Sequence, residues 1–128
     1  MSIKTYNPFA AQDSALWLET DESERIELVL NYHEQCDDDI PEDGKKMHSL
    51  IHVVVENQLA LGEKYVVNTL SKLERQGLDR HDAIHAIGAV LSAGIYDSLK
   101  GTTEEFTVKK YRKRLEKLSA KRWNKGQW

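Results

Sequence analysis

The chain has 128 residues, of which 30% are charged and 40% apolar, so it is long enough for a hydrophobic core and has a globular composition. No apolar run approaches the roughly 18 residues that span a bilayer, and no basic stretch followed by an apolar one opens the chain. We therefore expect neither a membrane protein nor a signal peptide. Cys36 is the only cysteine, which excludes an internal disulfide and favours the reducing cytoplasm.

Charge is distributed unevenly along the chain, although the net charge is only −3. Residues 1–43 hold 12 acidic and 2 basic side chains, whereas residues 101–128 hold 9 basic and 3 acidic ones. Attraction between the two ends, within one chain or between the chains of a homo-oligomer, is the interpretation that we favour. The alternative is that the basic 109–125 stretch binds nucleic acid or an acidic partner. A basic stretch is necessary but not sufficient for that function, so we do not expect nucleic-acid binding.

Helix start and stop signals recur along the first half of the chain, and strand signals are weak. Asp13 precedes the segment SALWLE and can cap a short first helix. A second helix is expected to start at Thr20, with acidic side chains in its first turn, and to run to about Cys36. After the acidic turn DDDIPEDG, a third helix is apolar around much of its circumference until Gly62 stops it, which predicts that it is buried.

Three further helices are predicted in the second half. The fourth is amphipathic and ends at Gly77, the fifth is capped by Asp79, and the sixth follows a turn at Gly101. The apolar side of the sixth helix comprises Phe106, Tyr111, Leu115 and Leu118. Residues 1–12 and 124–128 are expected to fray. These elements predict an all-α fold, a single-domain bundle of about five or six helices.

Two histidine pairs share one spacing: His48 with His52, and His81 with His85. Residues four apart on a helix lie on the same face about 6 Å apart, so each pair can direct two imidazoles at one point. If the third, fourth and fifth helices are antiparallel neighbours, the two pairs lie at similar depth near one end of the bundle. Glu56, one turn beyond His52, could add a carboxylate to that cluster.

His52 is the most informative of these residues because it interrupts an apolar run. A buried imidazole needs a hydrogen-bond partner or a metal ion. Nitrogen-rich ligation suits Zn²⁺, Fe²⁺, Ni²⁺ or Cu²⁺ better than Ca²⁺ or Mg²⁺. Four histidines would close a tetrahedral zinc site, whereas three would leave a position for hydrolysis. In the alternative interpretation, the histidines hydrogen-bond one another, Glu56 or the backbone, and specify the core.

Two other histidine patterns are weaker. The run from His81 to His85 nearly matches the metallopeptidase motif HExxH, but Asp82 is one methylene short for a general base, and its capping position already explains it. No predicted strand would hold an extended peptide, which argues against a peptidase. His33 and Cys36 also share a helix face, but a lone pair near a helix end is more often incidental.

The order of motifs between Pro41 and Leu99 is PEDG, then HxxxH ahead of the polar stretch ENQL, then a second HxxxH on a later helix. In this order of motifs, the chain resembles an uncharacterised bacterial family of small all-helical proteins, a domain of unknown function. Two positions depart from the family pattern. The family has an acidic residue before the last histidine, where this chain has Ile84, and a glutamate beside the glutamine, where it has Asn57. The resemblance implies a helical domain with paired histidines and no particular activity.

The sequence therefore predicts one all-α domain over residues 1–128, in the bacterial cytoplasm, that binds zinc or another transition metal such as iron or nickel. The candidate metal ligands are His48, His52, His81, His85 and Glu56. A metal-dependent hydrolase or a redox protein is the kind of function that such a site would serve. The alternative is a non-catalytic interaction or dimerisation module whose histidines are hydrogen-bonded core residues. No catalytic residue and no further cofactor is assigned.

Overall fold

The computed structural model describes residues 3–36, 42–99 and 107–128, and these ranges contain seven α-helices and no strand. The helices are α1 (Ser14–Glu19), α2 (Glu22–Cys36), α3 (Glu42–Ala60), α4 (Lys64–Arg75), α5 (Arg80–Leu99), α6 (Val108–Lys117) and α7 (Ala120–Asn124). The all-α prediction is confirmed. Among the described helices, none is both long enough and apolar enough to cross a membrane. The chain divides into two compact units, Met1–Glu63 and Lys64–Trp128.

The core of the first unit is built where α3 packs against α1 and α2. Tyr6, Trp17, Val29 and Val53 form its buried cluster, each at most 4% exposed. Tyr6 belongs to the irregular segment before α1, and its ring lies 6.0 Å from that of Trp17. Fraying of the two chain ends stays a prediction. Within the N-terminal segment, however, Tyr6 packs against the core of the first unit.

Asn57 on α3 connects all three helices of the first unit. Its side-chain oxygen accepts hydrogen bonds from Nε1 of Trp17 on α1 at 2.8 Å and from Nη1 of Arg25 on α2 at 2.9 Å. The same guanidinium donates to the backbone carbonyls of Leu18 and Thr20 at the end of α1. Since a buried polar group costs free energy unless it is hydrogen-bonded, this network also fixes how the helices dock.

The second unit is built around α5, which is apolar or small on most of its circumference. Its buried side comprises Ala83, Ile84, Ala86, Ile87, Gly88, Val90, Leu91 and Gly94, together with Arg80 at its first turn. The amphipathic α4 and α6 pack against α5 and against each other. Val66 and Leu73 of α4 and Tyr111 and Leu115 of α6 are the large side chains that they bury.

The predicted helix ends are mostly confirmed. The Asp13 carboxylate accepts from the Leu16 amide, and the Asp79 carboxylate accepts from the Asp82 amide at 2.8 Å. Gly62 and Gly77 have φ values of +73° and +105°, the left-handed conformation that ends a helix at little cost for glycine. The Glu63 amide then reaches back to Gln58, and the Leu78 amide to Leu73, as in a Schellman motif.

Two predicted boundaries are wrong, and two lie outside the described residues. Thr20 ends α1 instead of starting α2: its hydroxyl and amide both donate to the Leu16 carbonyl, and α2 begins at Glu22. The sixth helix stops before Leu118, whose backbone is extended, because the Ser119 hydroxyl caps a separate α7. The turn over residues 37–41 and the turn and Phe106 within 100–106 lie outside the described ranges.

Candidate metal centre

Three imidazoles converge in the first unit: His33 from α2, and His48 and His52 from adjacent turns of α3. We call them the histidine triad. The ring centroids lie 4.6 Å apart for His33 and His48, and 4.8 Å apart for each of the other two pairs. Each ring offers a nitrogen within 4.8 Å of those of the other two. His33 and His52 are 0% and 2% exposed, and His48 is half-buried.

The protonation of His33 can be inferred from its neighbours. Its Nδ1 lies 2.9 Å from the carbonyl oxygen of Val29, one turn earlier on α2, and 3.2 Å from the hydroxyl of Ser49. A carbonyl oxygen only accepts hydrogen bonds, so Nδ1 must carry the proton to make so short a contact favourable. In a neutral imidazole with Nδ1 protonated, the lone pair that binds a metal is on Nε2.

His52 is oriented by a second hydrogen-bond chain, which includes two residues distant in sequence. The Tyr6 hydroxyl donates to a carboxylate oxygen of Glu56 at 2.6 Å and lies 3.1 Å from Nδ1 of His52. Because the single phenolic proton is directed to Glu56, Nδ1 of His52 is the donor in the second bond. The neutral His52 ring therefore also has its lone pair on Nε2.

Glu56 is buried, 1% exposed, and the structure gives it a role behind the triad. Its carboxylate holds the Tyr6 hydroxyl, which in turn holds the His52 ring. Metal-binding histidines commonly have their second nitrogen held in this way by a carboxylate, a carbonyl or an intervening group, which fixes the tautomer and makes the ring a better ligand. Direct ligation by Glu56 stays a prediction.

The second predicted pair lies in the second unit, on the first two turns of α5. The His81 and His85 rings are 4.2 Å apart, and both side chains are half-buried. The helical geometry that the spacing predicts is therefore present in this pair as well. That the two pairs form one cluster stays a prediction from the sequence.

The donor set of the triad suits a transition metal better than a hard cation. Zinc–nitrogen bonds of about 2.0–2.1 Å in a tetrahedral site place ligand nitrogens about 3.4 Å apart. The triad nitrogens lie within 4.8 Å of one another. Side-chain rotations that move these nitrogens by about an ångström would bring them to the spacing of a zinc site. Imidazole is a common ligand of zinc, copper, iron and nickel, whereas calcium and magnesium prefer oxygen.

His33 is the member of the histidine triad that the HxxxH spacing does not identify. Its pairing with Cys36 at i, i+3 is typical of an incidental pair, because it stands alone near a helix end. The informative pattern lies earlier in the helix. His33 follows Ile26 and Val29 at spacings of seven and four, so it continues the buried face of α2. A histidine on a buried helix face is the same signal that singled out His52 on α3.

No protein-family model, curated protein or solved structure matches the chain.

Proposed function

We propose that the first unit is a transition-metal site in which Nε2 atoms of His33 and His52, with a nitrogen of His48, bind one zinc ion. The observation that carries the proposal is the pair of hydrogen bonds made by Nδ1 of His33 and His52. Each of these bonds sets the tautomer that leaves the metal-binding lone pair on Nε2. Three nitrogen ligands leave one position of a tetrahedral zinc ion for water or a substrate atom, the arrangement on which hydrolytic zinc sites are built.

The alternative interpretation, a module with hydrogen-bonded core histidines, accounts for part of the geometry. Both buried triad histidines do bond to the backbone or to a side chain through Nδ1. The third ring, His48, also lies within 5 Å of both of them, on a half-buried face. If the three neighbouring imidazoles were protonated, their positive charges would repel one another. Neutral imidazoles at this distance can instead share one metal cation.

Two further parts of the proposal rest on the sequence. The single cysteine supports a cytoplasmic location, because reduced thiols are the rule there. The PEDG and paired HxxxH motifs support membership of the all-helical bacterial family described above. Neither of these bears on the triad itself, so the metal site can be tested without them.

The test is metal analysis of tag-free protein after equilibration with zinc, nickel or iron and removal of free ions. We expect close to one zinc ion per chain, and its loss in His33→Ala, His48→Ala and His52→Ala. His33→Ala is the sharpest of these, because the HxxxH spacing alone would not select it. Substitution of cobalt for zinc adds a readout, since the d–d absorption of Co²⁺ reports tetrahedral nitrogen ligation.

The double variant His81→Ala/His85→Ala removes the same motif from the second unit and tests whether that pair supplies a ligand, as the sequence predicts. Full metal content in this double variant, with loss in the three triad variants, supports a site formed by the triad alone, whereas loss in the double variant as well shows that the second pair supplies a ligand. If the wild-type protein binds none of the three ions, or if His33→Ala binds as well as wild type, the triad is not a metal site. Helical circular dichroism verifies that each variant folds, and the half-buried His48 provides the substitution that disturbs the core least.

A further inference from the structure

A cleft of about 490 Å³ lies between α4 and α6 in the second unit, and basic side chains dominate its lining. The charged lining residues are Lys64, Lys72 and Arg75 from α4, and Arg112 and Glu116 from α6. Four cations and one carboxylate give this lining a charge of about +3 at neutral pH. The cleft belongs wholly to the second unit, and no part of the histidine triad contributes to it.

The sequence of α4 explains why the charges gather there. Residues 64, 68, 72 and 75 fall on one face of the helix, opposite the buried Val66 and Leu73. The Tyr65 ring, which also lines the cleft, meets Tyr111 of α6 edge to face at 5.7 Å. This aromatic contact fixes the two helices where their basic faces border the same space.

Lys72 is held in a defined position at the cleft. Its ammonium group donates to the backbone carbonyls of Leu115 and Glu116, each at 3.2 Å, near the C-terminal end of α6. An ammonium has three N–H donors, so one remains for a ligand. Burial lowers the pKa of Lys72 from its usual value of 10.5, although the Glu116 carboxylate opposes the shift. A bound anion would act in the same direction as Glu116.

The two arginines keep most of their donors for a ligand. Arg75 uses Nε in a long 3.4 Å bond to the Ser71 carbonyl of its own helix. Nε of Arg112 lies 3.6 Å from the Glu116 carboxylate, in a pair whose side chains are 65% and 66% exposed. Because exposed ion pairs contribute little, a multivalent anion can compete for Arg112. A planar guanidinium presents paired N–H groups that match the oxygens of a phosphate.

We propose that this cleft binds a small molecule with a diphosphate or triphosphate group, of the nucleotide class. The volume lies within the range of small-ligand sites, about 300–1,000 Å³. The lining charge of about +3 matches the negative charge of a diphosphate. Cations from two helices face one another across the cleft, which concentrates positive potential at one place. A nucleic-acid strand would instead favour a stripe of charge along its path, so a small ligand is the better fit.

The test is calorimetric titration of the full chain with ADP, inorganic pyrophosphate and a single-stranded oligonucleotide at near-physiological salt. A chelator is included so that no metal ion links the ligand to the histidine triad. We expect saturable 1:1 binding of ADP, weakened at least about tenfold by Lys64→Glu and by Arg112→Glu, each of which removes charge-assisted hydrogen bonds and adds a repulsive charge. The matched control is Lys113→Glu, an exposed lysine adjacent to Arg112 that does not line the cleft.

ADP binding that survives in Lys113→Glu but not in the two cleft variants supports the proposal. Comparable binding of pyrophosphate locates the recognition in the phosphates, whereas weaker pyrophosphate binding shows that the rest of the nucleotide contributes. Absence of ADP and pyrophosphate binding, or equal weakening in all three variants, would overturn it. So would an oligonucleotide that binds more tightly than ADP with a steep salt dependence, because the ligand would then be a polymer.

Discussion

The two units contain the same HxxxH spacing in different surroundings. In the first unit, His48 and His52 lie beside His33 from another helix, and Tyr6 and Glu56 orient His52. In the second unit, His81 and His85 lie 4.2 Å apart on α5, and the sequence from Lys64 to Trp128 contains no other histidine and no cysteine. The spacing brings two rings together in both units, but only the first unit has a third imidazole of its own.

The comparison shows that a motif on one helix defines at most part of a site. The ligand count depends on which residues of neighbouring helices face the motif, and the binding nitrogen depends on what holds the other nitrogen of each ring. In the first unit, the third ring, His33, lies 15 positions from His48, and Tyr6, which holds His52, lies 46 positions from it.

The largest expected effect is stabilisation by zinc. A ligand at about 100 times its dissociation constant stabilises the folded state by about 2.7 kcal/mol, which for a chain of this size raises Tm by roughly 10 °C. Thermal unfolding followed by circular dichroism should show this rise in wild type, and the His81→Ala/His85→Ala variant tests whether the second pair contributes to it. His33→Ala should show almost none. A rise lost in the second-unit variant and kept in His33→Ala would reverse the assignment of the two units.

The next effect concerns the orientation of His52. Tyr6→Phe removes the oxygen that accepts from His52 and donates to Glu56, and leaves both groups buried. We expect zinc affinity to fall by about 10- to 100-fold, and the metal-free protein to lose about 1–3 kcal/mol of stability. Competition titration against a chromophoric chelator measures the first, and urea unfolding the second. Tyr96→Phe, at a side chain 58% exposed on α5, is the control. Unchanged zinc affinity in Tyr6→Phe would show that the hydrogen-bond chain does not support the site.

A smaller effect concerns one polar side chain in each unit that accepts hydrogen bonds from other segments of the chain. Asn57 accepts from the Trp17 indole and the Arg25 guanidinium, whereas the Gln76 side chain of the second unit accepts one bond, from the Ala120 amide. Asn57→Ala should cost about 1–3 kcal/mol, because both donors are part-buried and one is charged. Gln76→Ala should cost less, about 1 kcal/mol. Equal losses in urea unfolding would show that the Asn57 network adds no specific stability.

Local features of the chain were predictable from sequence, because they depend on few residues. Asp13 and Asp79 cap helices through their own carboxylates, and Gly62 and Gly77 adopt the positive φ that few other residues accept. The break at Ser119 was missed although serine is a good N-cap, since the apolar spacing from Leu115 to Leu118 also fits a continuous helix.

The candidate site was only half predictable. The HxxxH spacing identified His48 and His52, because both lie on one helix. His33 and Tyr6 join them through tertiary packing, and nothing local to either residue indicates which α3 side chain it meets. The apolar neighbours of His33 at positions 26 and 29 were the available signal. Tyr6, in a segment expected to fray, gave none.

The smallest expected effect lies in the second unit and concerns Lys72, a half-buried cation. Its pKa is lowered by burial, so the unfolded chain holds this proton more tightly than the folded one. Stability should therefore rise with pH between the lowered folded-state pKa and the usual value of 10.5, as the charge that burial disfavours is lost. Urea unfolding of wild type and Lys72→Met, from about pH 8 upward, isolates this contribution, because the neighbouring Lys64, Arg75, Arg112 and Glu116 are common to both. The stability difference should shift in favour of wild type as the pH rises. A constant difference, or a shift toward Lys72→Met, would mean that the two α6 carbonyls compensate the ammonium fully for its burial, in contrast to the neutral imidazoles inferred in the first unit.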